Sequence, residues 1–203
     1  MHGLINRSIQ CFLRDTYGPD AWTKIAVAAD LGFDSFEALL TYEAAQTEAV
    51  LDAACKHLSK PRDMLLEDLG TYLVSHPNVQ SLRRLLRFGG VTFEEFLHSL
   101  DELHDRARLA VPGLNMPLLE LRDHGATAFT LIVTHEHPGF GHVMVGILRA
   151  MADDYGALAL LDFQGRKDGV ETIAIELLES SFAEGRHFEL GERASDPVDA
   201  VAG

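Results

Sequence analysis

Residues 93–117, FEEFLHSLDELHDRARLAVPGLNMP, combine a helical pattern with a histidine where an apolar residue is expected. The apolar residues recur every three or four positions and predict an amphipathic helix that runs into a proline-containing segment. The stripe consists of Phe93, Phe96, Leu97, Leu100, Leu103 and Ala107. Thr92 and Glu95 form a capping-box pattern at the helix start. His104 lies on the stripe, so an imidazole is predicted on the buried face.

The chain changes character after this segment. Before it, helical patterns and intervening Gly and Pro breaks predict helices at residues 4–17, 20–31, 35–42, 47–58, 61–75 and 79–88. After it, β-branched and aromatic residues predict two β-hairpins separated by a helix, with strands at 118–122, 126–134, 157–163 and 170–177 and the helix at 140–155. We therefore predict an α+β fold. A helical N-terminal subdomain packs on a C-terminal four-stranded antiparallel sheet with helices, and a ligand cavity lies between them.

The composition is that of a globular protein of 203 residues, 47% hydrophobic and 24% charged. A net charge of -14 argues against a nucleic-acid partner, because phosphate binding needs basic surface. No apolar run is long enough to cross a membrane and the N-terminus lacks a signal-peptide pattern, so we expect a cytoplasmic protein without a membrane contact. Cys11 and Cys55 have no metal-ligand spacing and are expected to be reduced. Residues 185–203 are polar and small and predict a disordered tail.

A lone histidine on an apolar helix face has two interpretations. His104 is either a core residue whose ring nitrogens are satisfied within the protein, or the axial ligand of an iron porphyrin. Zinc requires several protein ligands, whereas haem brings four ring nitrogens and needs only one axial imidazole. His104 lies where the helical half meets the sheet half, and such seams are common places for cofactors. The residues alone leave both interpretations open.

Several short motifs, in their order along the chain, resemble those of the H-NOX family, the haem-NO-binding domains related to the haem domain of soluble guanylate cyclase. They are Met1-x-Gly3-x-Ile5, Asp15-x-Tyr17-Gly18, Asp101-Glu102-Leu103-His104, Arg106-x-Arg108, Pro112-x-Leu114-x-x-Pro117, His137-Pro138-Gly139 and Val145-Gly146-Ile147. The resemblance covers residues 1–180 and implies a single haem-binding domain. Its helical part is residues 1–90, and residues 91–180 hold the proximal helix and the sheet.

The resemblance implies haem b, iron protoporphyrin, as the cofactor and His104 as its proximal iron ligand. Pro117 matches a family proline that presses on the haem face. The other apolar residues expected to contact the cofactor are Ile5, Ile9, Leu100, Leu103, Val143 and Ile147. Gly70 and Gly146 match glycines that are regarded as hinges between the two halves. For each of these positions an ordinary packing role is the alternative.

The chain departs from the family at the Tyr-x-Ser-x-Arg signature that holds the haem propionates. Alignment of residues 137–139 with the family's Arg-Pro-Gly puts Val133, His135 and His137 at the three positions. The two histidines are therefore the candidate cofactor ligands there, although histidine is a weaker, pH-dependent substitute for a bidentate arginine. Val143 stands where oxygen-binding members have a distal tyrosine. This predicts binding of NO and CO without binding of O2.

Two functions follow from these observations. The first is a haem-based gas sensor that binds nitric oxide and regulates a signalling partner, a histidine kinase or a diguanylate cyclase. The second is a haem-free interaction module, or a transition-metal-binding module that uses the histidines of HEHPGFGH, residues 135–142. A third possibility is another flat hydrophobic ligand in the same cavity. No nucleophile elbow, P-loop, HExxH or paired-carboxylate motif is present, so we expect no enzymatic activity.

Overall fold

The structure, a computed structural model, describes residues 1–186, with helices in the first half and the sheet in the second. The α-helices are α1 (Gly3–Tyr17), α2 (Pro19–Ala28), α3 (Ala44–Leu58), α4 (Arg62–Ser75), α5 (Gln80–Arg87), α6 (Phe93–His98), α7 (Leu103–Ala110) and α8 (Phe140–Tyr155). Two short 3-10 helices are Pro77–Val79 and Ser99–Glu102. The strands are β1 (Leu118–Asp123), β2 (Ala128–Thr134), β3 (Leu158–Lys167) and β4 (Val170–Glu179). The predicted α+β fold is confirmed.

The four strands form one antiparallel sheet in the order β1-β2-β4-β3. Helix α8 joins the two hairpins and packs on one face of the sheet. The residues that β2 and β4 direct to this face are buried: Phe129, Leu131, Val133, Ile173, Ile175 and Leu177. The β3–β4 hairpin turns at Asp168 and Gly169, whose φ angles of 52° and 82° suit a two-residue Asp-Gly turn. The predicted strand end at residue 163 was wrong, because β3 continues to Lys167.

The core consists of two hydrophobic clusters. The sheet cluster contains the inner face of the sheet, most of α8 and the apolar stripe of α6 and α7. The helical cluster joins the apolar faces of α1 to α4. Val143 of α8 is partly buried and packs against both clusters. The seam between the clusters therefore runs along α8.

Helices α4 and α8 cross at the seam through two glycines. A Cβ atom on Gly70 would lie 2.9 Å from Ile147 N and 3.0 Å from the Cα of Gly146. A Cβ atom on Gly146 would lie 2.8 Å from the carbonyl carbon of Glu67 and 2.9 Å from Thr71 N. Side chains cannot fit at these separations, so the two backbones approach this closely only because both positions are glycine.

The helix predicted at residues 35–42 was wrong, since this segment is irregular. Its backbone amides bind side chains instead: Phe36 N donates to Gln10 Oε1 at 2.9 Å, and Glu37 N donates to Tyr42 Oη at 2.7 Å. The Phe36 ring also packs edge-on against Tyr42, with centroids 4.8 Å apart. Tertiary contacts therefore override the weak local helical pattern.

The predicted continuous helix through His104 was also wrong. A 3-10 segment splits it into α6 and α7, and His104 is the second residue of α7. Ser99 Oγ donates to the Phe96 carbonyl oxygen at 2.8 Å, and Arg106 Nη2 donates to the Ser99 carbonyl oxygen at 3.1 Å. These side chains bind carbonyl groups that an unbroken helix would pair with its own amides. The interruption lies directly before the histidine.

Asp15, from the Asp15-x-Tyr17-Gly18 motif, ties α1 to α4 and the first 3-10 helix. Its Oδ2 accepts hydrogen bonds from Tyr72 Oη at 2.8 Å and from Asn78 Nδ2 at 2.9 Å. Burial raises the pKa of Asp15, but these hydrogen bonds and Arg14 outweigh burial, so the pKa lies below its ordinary value. The ionised carboxylate therefore stabilises the fold.

We expect Asp15→Asn to lower the free energy of unfolding by about 1 to 2 kcal/mol at neutral pH. Because the folded-state pKa is depressed, this stabilisation is complete above the unfolded-state pKa of about 3.9 and is lost as the pH falls through the folded-state pKa. Urea unfolding of wild type and variant, from neutral pH down to about pH 3, measures the difference. A difference that stays constant in acid would contradict the role of the charge.

The predicted tail, residues 185–203, lies outside the described residues except for Gly185 and Arg186. Arg186 N donates to the Asp154 carbonyl oxygen at 2.9 Å, which attaches the chain to the end of α8. Cys11 and Cys55 are free thiols, in agreement with the prediction. Within residues 1–186 no helix has both the length and the apolar character needed to cross a bilayer.

Candidate functional site

His104 is half-buried in the first turn of α7, with one ring nitrogen bound. Its Nδ1 lies 3.0 Å from the carbonyl oxygen of Met116. A carbonyl oxygen can only accept, so Nδ1 carries the proton and Nε2 of the neutral ring keeps its lone pair. Nε2 makes no hydrogen bond to any residue between 1 and 186. This is the tautomer that an imidazole needs to bind a metal through Nε2.

Two hydrogen bonds attach the segment carrying His104 to the first strand and the residues before it. One is the bond from His104 to Met116, the residue before the buried Pro117. The other joins Asp101 Oδ1 to the amide of Leu121 at 2.7 Å, on the outer edge of β1. The carboxylate thus satisfies an edge amide that would otherwise be open. Asp101 and His104 of the Asp-x-x-His motif together set the imidazole against the sheet.

The six predicted apolar contacts are divided between the two clusters. Those in the sheet cluster are Leu100, Leu103 and Ile147. Ile9 belongs to the helical cluster, Ile5 packs against it, and Val143 packs against both. The structure therefore distributes these residues over both sides of the seam, and their contact with a cofactor stays a prediction.

A cavity of about 140 Å³ lies between the two halves. Its lining residues are Met1, His2 and Thr41 from the helical half, and Gly113, Asn115, His135, Glu136 and His137 from the other. Of the predicted site residues only His135 and His137 line this cavity, whereas His104, Pro117 and the six apolar residues do not. The cavity is smaller than the pockets of about 300 to 1,000 Å³ that hold drug-sized ligands. This cavity by itself is therefore too small for a porphyrin.

His135 and His137 reach this cavity from the loop after β2. His135 is only 8% exposed, and its Nδ1 accepts a hydrogen bond from His137 N at 3.1 Å. Its Nε2 is buried without a hydrogen-bond partner among the described residues. Burial lowers the pKa of His135, so the ring is neutral at pH 7. It can offer an anionic group one N–H donor but no positive charge.

Val133, at the remaining signature position, and Glu136, beside the histidines, add no positive charge to the cavity. Val133 is fully buried in the sheet cluster. Glu136 Oε1 accepts from Asn115 Nδ2 at 3.2 Å and lies 3.5 Å from His137 Nε2. A carboxylate at the cavity opposes the approach of a second carboxylate. None of the three signature positions therefore supplies a permanent positive charge to the cavity.

The histidines of HEHPGFGH do not meet at one point. The rings of His135 and His137 lie 5.5 Å apart. His142, however, lies on α8 with its ring 4.0 Å from the Phe163 ring and Nδ1 3.5 Å from Glu67 Oε1. No three His, Cys, Asp or Glu side chains in residues 1–186 are arranged to hold a metal ion. The described residues therefore lend no support to the transition-metal alternative.

Two residues near the site were missed by sequence reasoning. Glu171 accepts from Gly139 N at 2.8 Å through Oε1 and from Gly141 N at 2.7 Å through Oε2. Arg166 Nη2 donates to the carbonyl oxygens of residues 135–136, at 3.4 and 3.2 Å. In the sequence both are ordinary charged residues flanking a hairpin turn. Only the fold brings them to the loop that lines the cavity.

The fold and the site define the class of the protein as an α+β domain in which His104, on α7, keeps its Nε2 without a hydrogen bond among residues 1–186. The chain belongs to the haem-NO-binding family, whose model matches residues 2–159. The resemblance to the H-NOX family that the motifs indicate is therefore confirmed.

The curated relatives are guanylate cyclases that are much longer than this chain. Soluble guanylate cyclase gcy-31 of Caenorhabditis elegans is 25% identical over 154 residues, which cover 76% of this chain and 22% of the relative. Soluble guanylate cyclase 89Da of Drosophila melanogaster is 21% identical over 160 residues, covering 79% and 24%. The chain thus spans less than a quarter of the length of these relatives.

Solved structures of similar fold carry the same family name. The Fe(II) unliganded H-NOX protein from K. algicida has a TM-score of 0.75 at 18% identity, and the match covers 93% of this chain and 100% of that one. An oxygen-binding H-NOX domain related to soluble guanylate cyclases has a TM-score of 0.69 at 16% identity, covering 92% and 100%. At these identities the likeness establishes the fold.

Proposed function

We propose that this protein is a haem-based sensor that binds nitric oxide and regulates a partner signalling protein. The proposal rests on one observation, the imidazole of His104, whose Nδ1 is bound to a backbone carbonyl while Nε2 stays available. A single axial imidazole is all the protein ligation that a haem needs. Membership of the haem-NO-binding family supports the same cofactor.

The residue types present suit a haem, because His104 has an unbonded Nε2 for the iron and apolar side chains lie on both sides of the seam. His104 would hold the iron of haem b through Nε2, and the Met116 carbonyl oxygen fixes the ring and raises its basicity. Pro117 and the apolar residues on both sides of the seam would exclude water from the porphyrin. When bound, haem would supply an iron that can take a diatomic gas. His135 and His137 would face the propionates without a permanent charge, so haem retention is expected to be weak.

The gas selectivity follows from the apolar seam. We expect the ferrous protein to bind NO and CO but not O2, because stable O2 binding depends on a hydrogen-bond donor and Val143 provides none. Absorption spectra of protein purified with haem, reduced under argon and exposed to each gas, measure this. The Soret band should shift with NO and CO. A colourless protein that ignores added haem would overturn the proposed function, whereas a stable O2 adduct would overturn only the selectivity.

The proposed output is a movement of the α7 segment that a histidine kinase or a diguanylate cyclase detects. The 3-10 helix Ser99–Glu102 supports a hinge there, since interruptions of this kind often mark hinges in helices. Gly70 and Gly146 support a second pivot, because no side chain separates α4 from α8 at that crossing. We propose that residues 1–180 act as one sensing unit with no catalytic reaction of its own.

A haem-free interaction module on the same fold is the second candidate function. The observations that favour it are the absent propionate signature and the 140 Å³ cavity, which is small for a porphyrin. The spectra described above separate the two candidates, because this module stays colourless when haem is supplied.

A further inference from the structure

The segment from His135 to Gly141 comprises the loop after β2 and the first two residues of α8, and the β3–β4 hairpin binds its main chain. Arg166 and Glu171 lie directly opposite each other in the ladder between these strands. Their side chains therefore leave the same face of the sheet. The guanidinium binds carbonyl oxygens of this segment, and the carboxylate binds its amides. We call this pair the hairpin clamp.

Glu171 acts at a point where the backbone needs a partner. The first amides of a helix have no intrahelical acceptor, and the helix dipole favours a negative charge there. Glu171 is 4% exposed and binds the amides of Gly139 and Gly141, at the start of α8. Val143 and Ile147 follow in the next two turns of that helix. The carboxylate therefore fixes the start of the helix that carries two residues of the seam.

Arg166 acts on the other end of the segment. It binds the two carbonyl groups of residues 135–136, immediately beside the imidazoles that line the cavity. Both contacts are to backbone atoms, so they set the path of the chain whatever side chains the loop carries. The last two signature positions, His135 and His137, lie in this loop, and Arg166 binds the loop from a different element.

We propose that Arg166 and Glu171 are positioning residues of the cofactor site. Their hydrogen bonds to the main chain order the segment in which His135 and His137 replace residues of the Tyr-x-Ser-x-Arg signature. They hold His135 and His137 at the cavity and α8 at the seam. This inference rests on the proposed function, because it takes the cavity to receive the propionate edge of haem. Neither Arg166 nor Glu171 lines the cavity, so the role we assign them is positioning.

The first test is the rate at which the haem-loaded protein loses haem to excess apomyoglobin. We expect Arg166→Gln and Glu171→Gln to lose haem about tenfold faster than wild type, because loss of a residue that orients the groups of a cofactor site typically costs about 10- to 100-fold in affinity. Lys167→Gln and Glu176→Gln are matched controls, since each removes an exposed charge from the same strand as its counterpart. Arg166→Lys should restore part of the retention, because an ammonium group also donates to carbonyl oxygens.

The second test separates positioning from a general loss of stability. Haem dimethyl ester, whose propionates are esterified, is released from each variant under the same conditions. A merely structural role would accelerate the loss of both porphyrins equally. Positioning of His135 and His137 predicts that the clamp variants lose most of the wild-type discrimination between haem and its ester.

The amide protons of Gly139 and Gly141 test the clamp without haem. They should exchange slowly in the wild-type protein and about tenfold faster in Glu171→Gln. Arg166 is exposed, so Arg166→Gln keeps the test available if Glu171→Gln does not fold. Clamp variants that release both porphyrins like the controls would overturn the positioning role while the sensor function stands. A wild-type protein that takes up no haem would overturn both.

Discussion

His104→Ala should fold normally but lose the Soret band of the haem-loaded protein, and added imidazole should restore it. The ring is half-buried and has one hydrogen bond, to Met116, so its removal deletes the iron ligand with little effect on the core. We expect haem affinity to fall by at least about 100-fold, because loss of a residue that only orients a metal ligand already costs about 10- to 100-fold. Haem titration of the ferrous protein, with and without imidazole, measures this.

The matched control for this experiment is His98→Ala. His98 is an exposed histidine at the end of α6, and its ring packs edge-on against Phe129 with centroids 6.0 Å apart. Its loss removes an imidazole from the same segment without touching the proposed ligand. His98→Ala should keep the wild-type spectrum and its shift with NO. If His104→Ala keeps them as well, the assignment of the iron ligand is wrong.

Local sequence patterns predicted the elements whose contacts are local. The capping box of Thr92 and Glu95 is present, and α8 has the predicted bounds. The irregular segment 35–42 and the break before His104 depend instead on side chains that bind backbone groups elsewhere, such as Gln10. The spacing of apolar residues carries no information about such hydrogen bonds, so it predicted a helix wrongly at residues 35–42 and an unbroken helix wrongly before His104.

The candidate site divides in the same way. His104 was recognisable as a candidate ligand because an imidazole interrupts an apolar stripe. The alignment of motifs indicated His135 and His137 as candidates, and the fold places both at the cavity. Arg166 and Glu171 were not recognisable, because their partners are backbone atoms about 30 residues earlier in the chain. A contact to the main chain leaves no trace in the partner's residue type. The fold alone reveals it.

Gly146→Ala should destabilise the protein by about 2 kcal/mol, despite the better helix propensity of alanine. The new methyl group would lie 2.8 Å from the carbonyl carbon of Glu67 and 2.9 Å from Thr71 N, so α4 and α8 must separate. Overpacking of this kind lowers the free energy of unfolding by about 3 kcal/mol, and the better helix propensity of alanine raises it by about 1 kcal/mol. Urea unfolding measures the change, with Asp153→Ala on the exposed face of α8 as the control.

The same crossing predicts strong coupling between the two glycines. A methyl group on Gly70 would lie 3.0 Å from the Cα of Gly146, so either substitution forces the same two backbones apart. Once they are apart, the second methyl group meets less resistance. The double variant should therefore lose less stability than the sum of the single variants, by about 1 kcal/mol. If the losses in free energy of unfolding are strictly additive, the two substitutions disturb separate contacts. The α4–α8 crossing would then not respond to them as one unit.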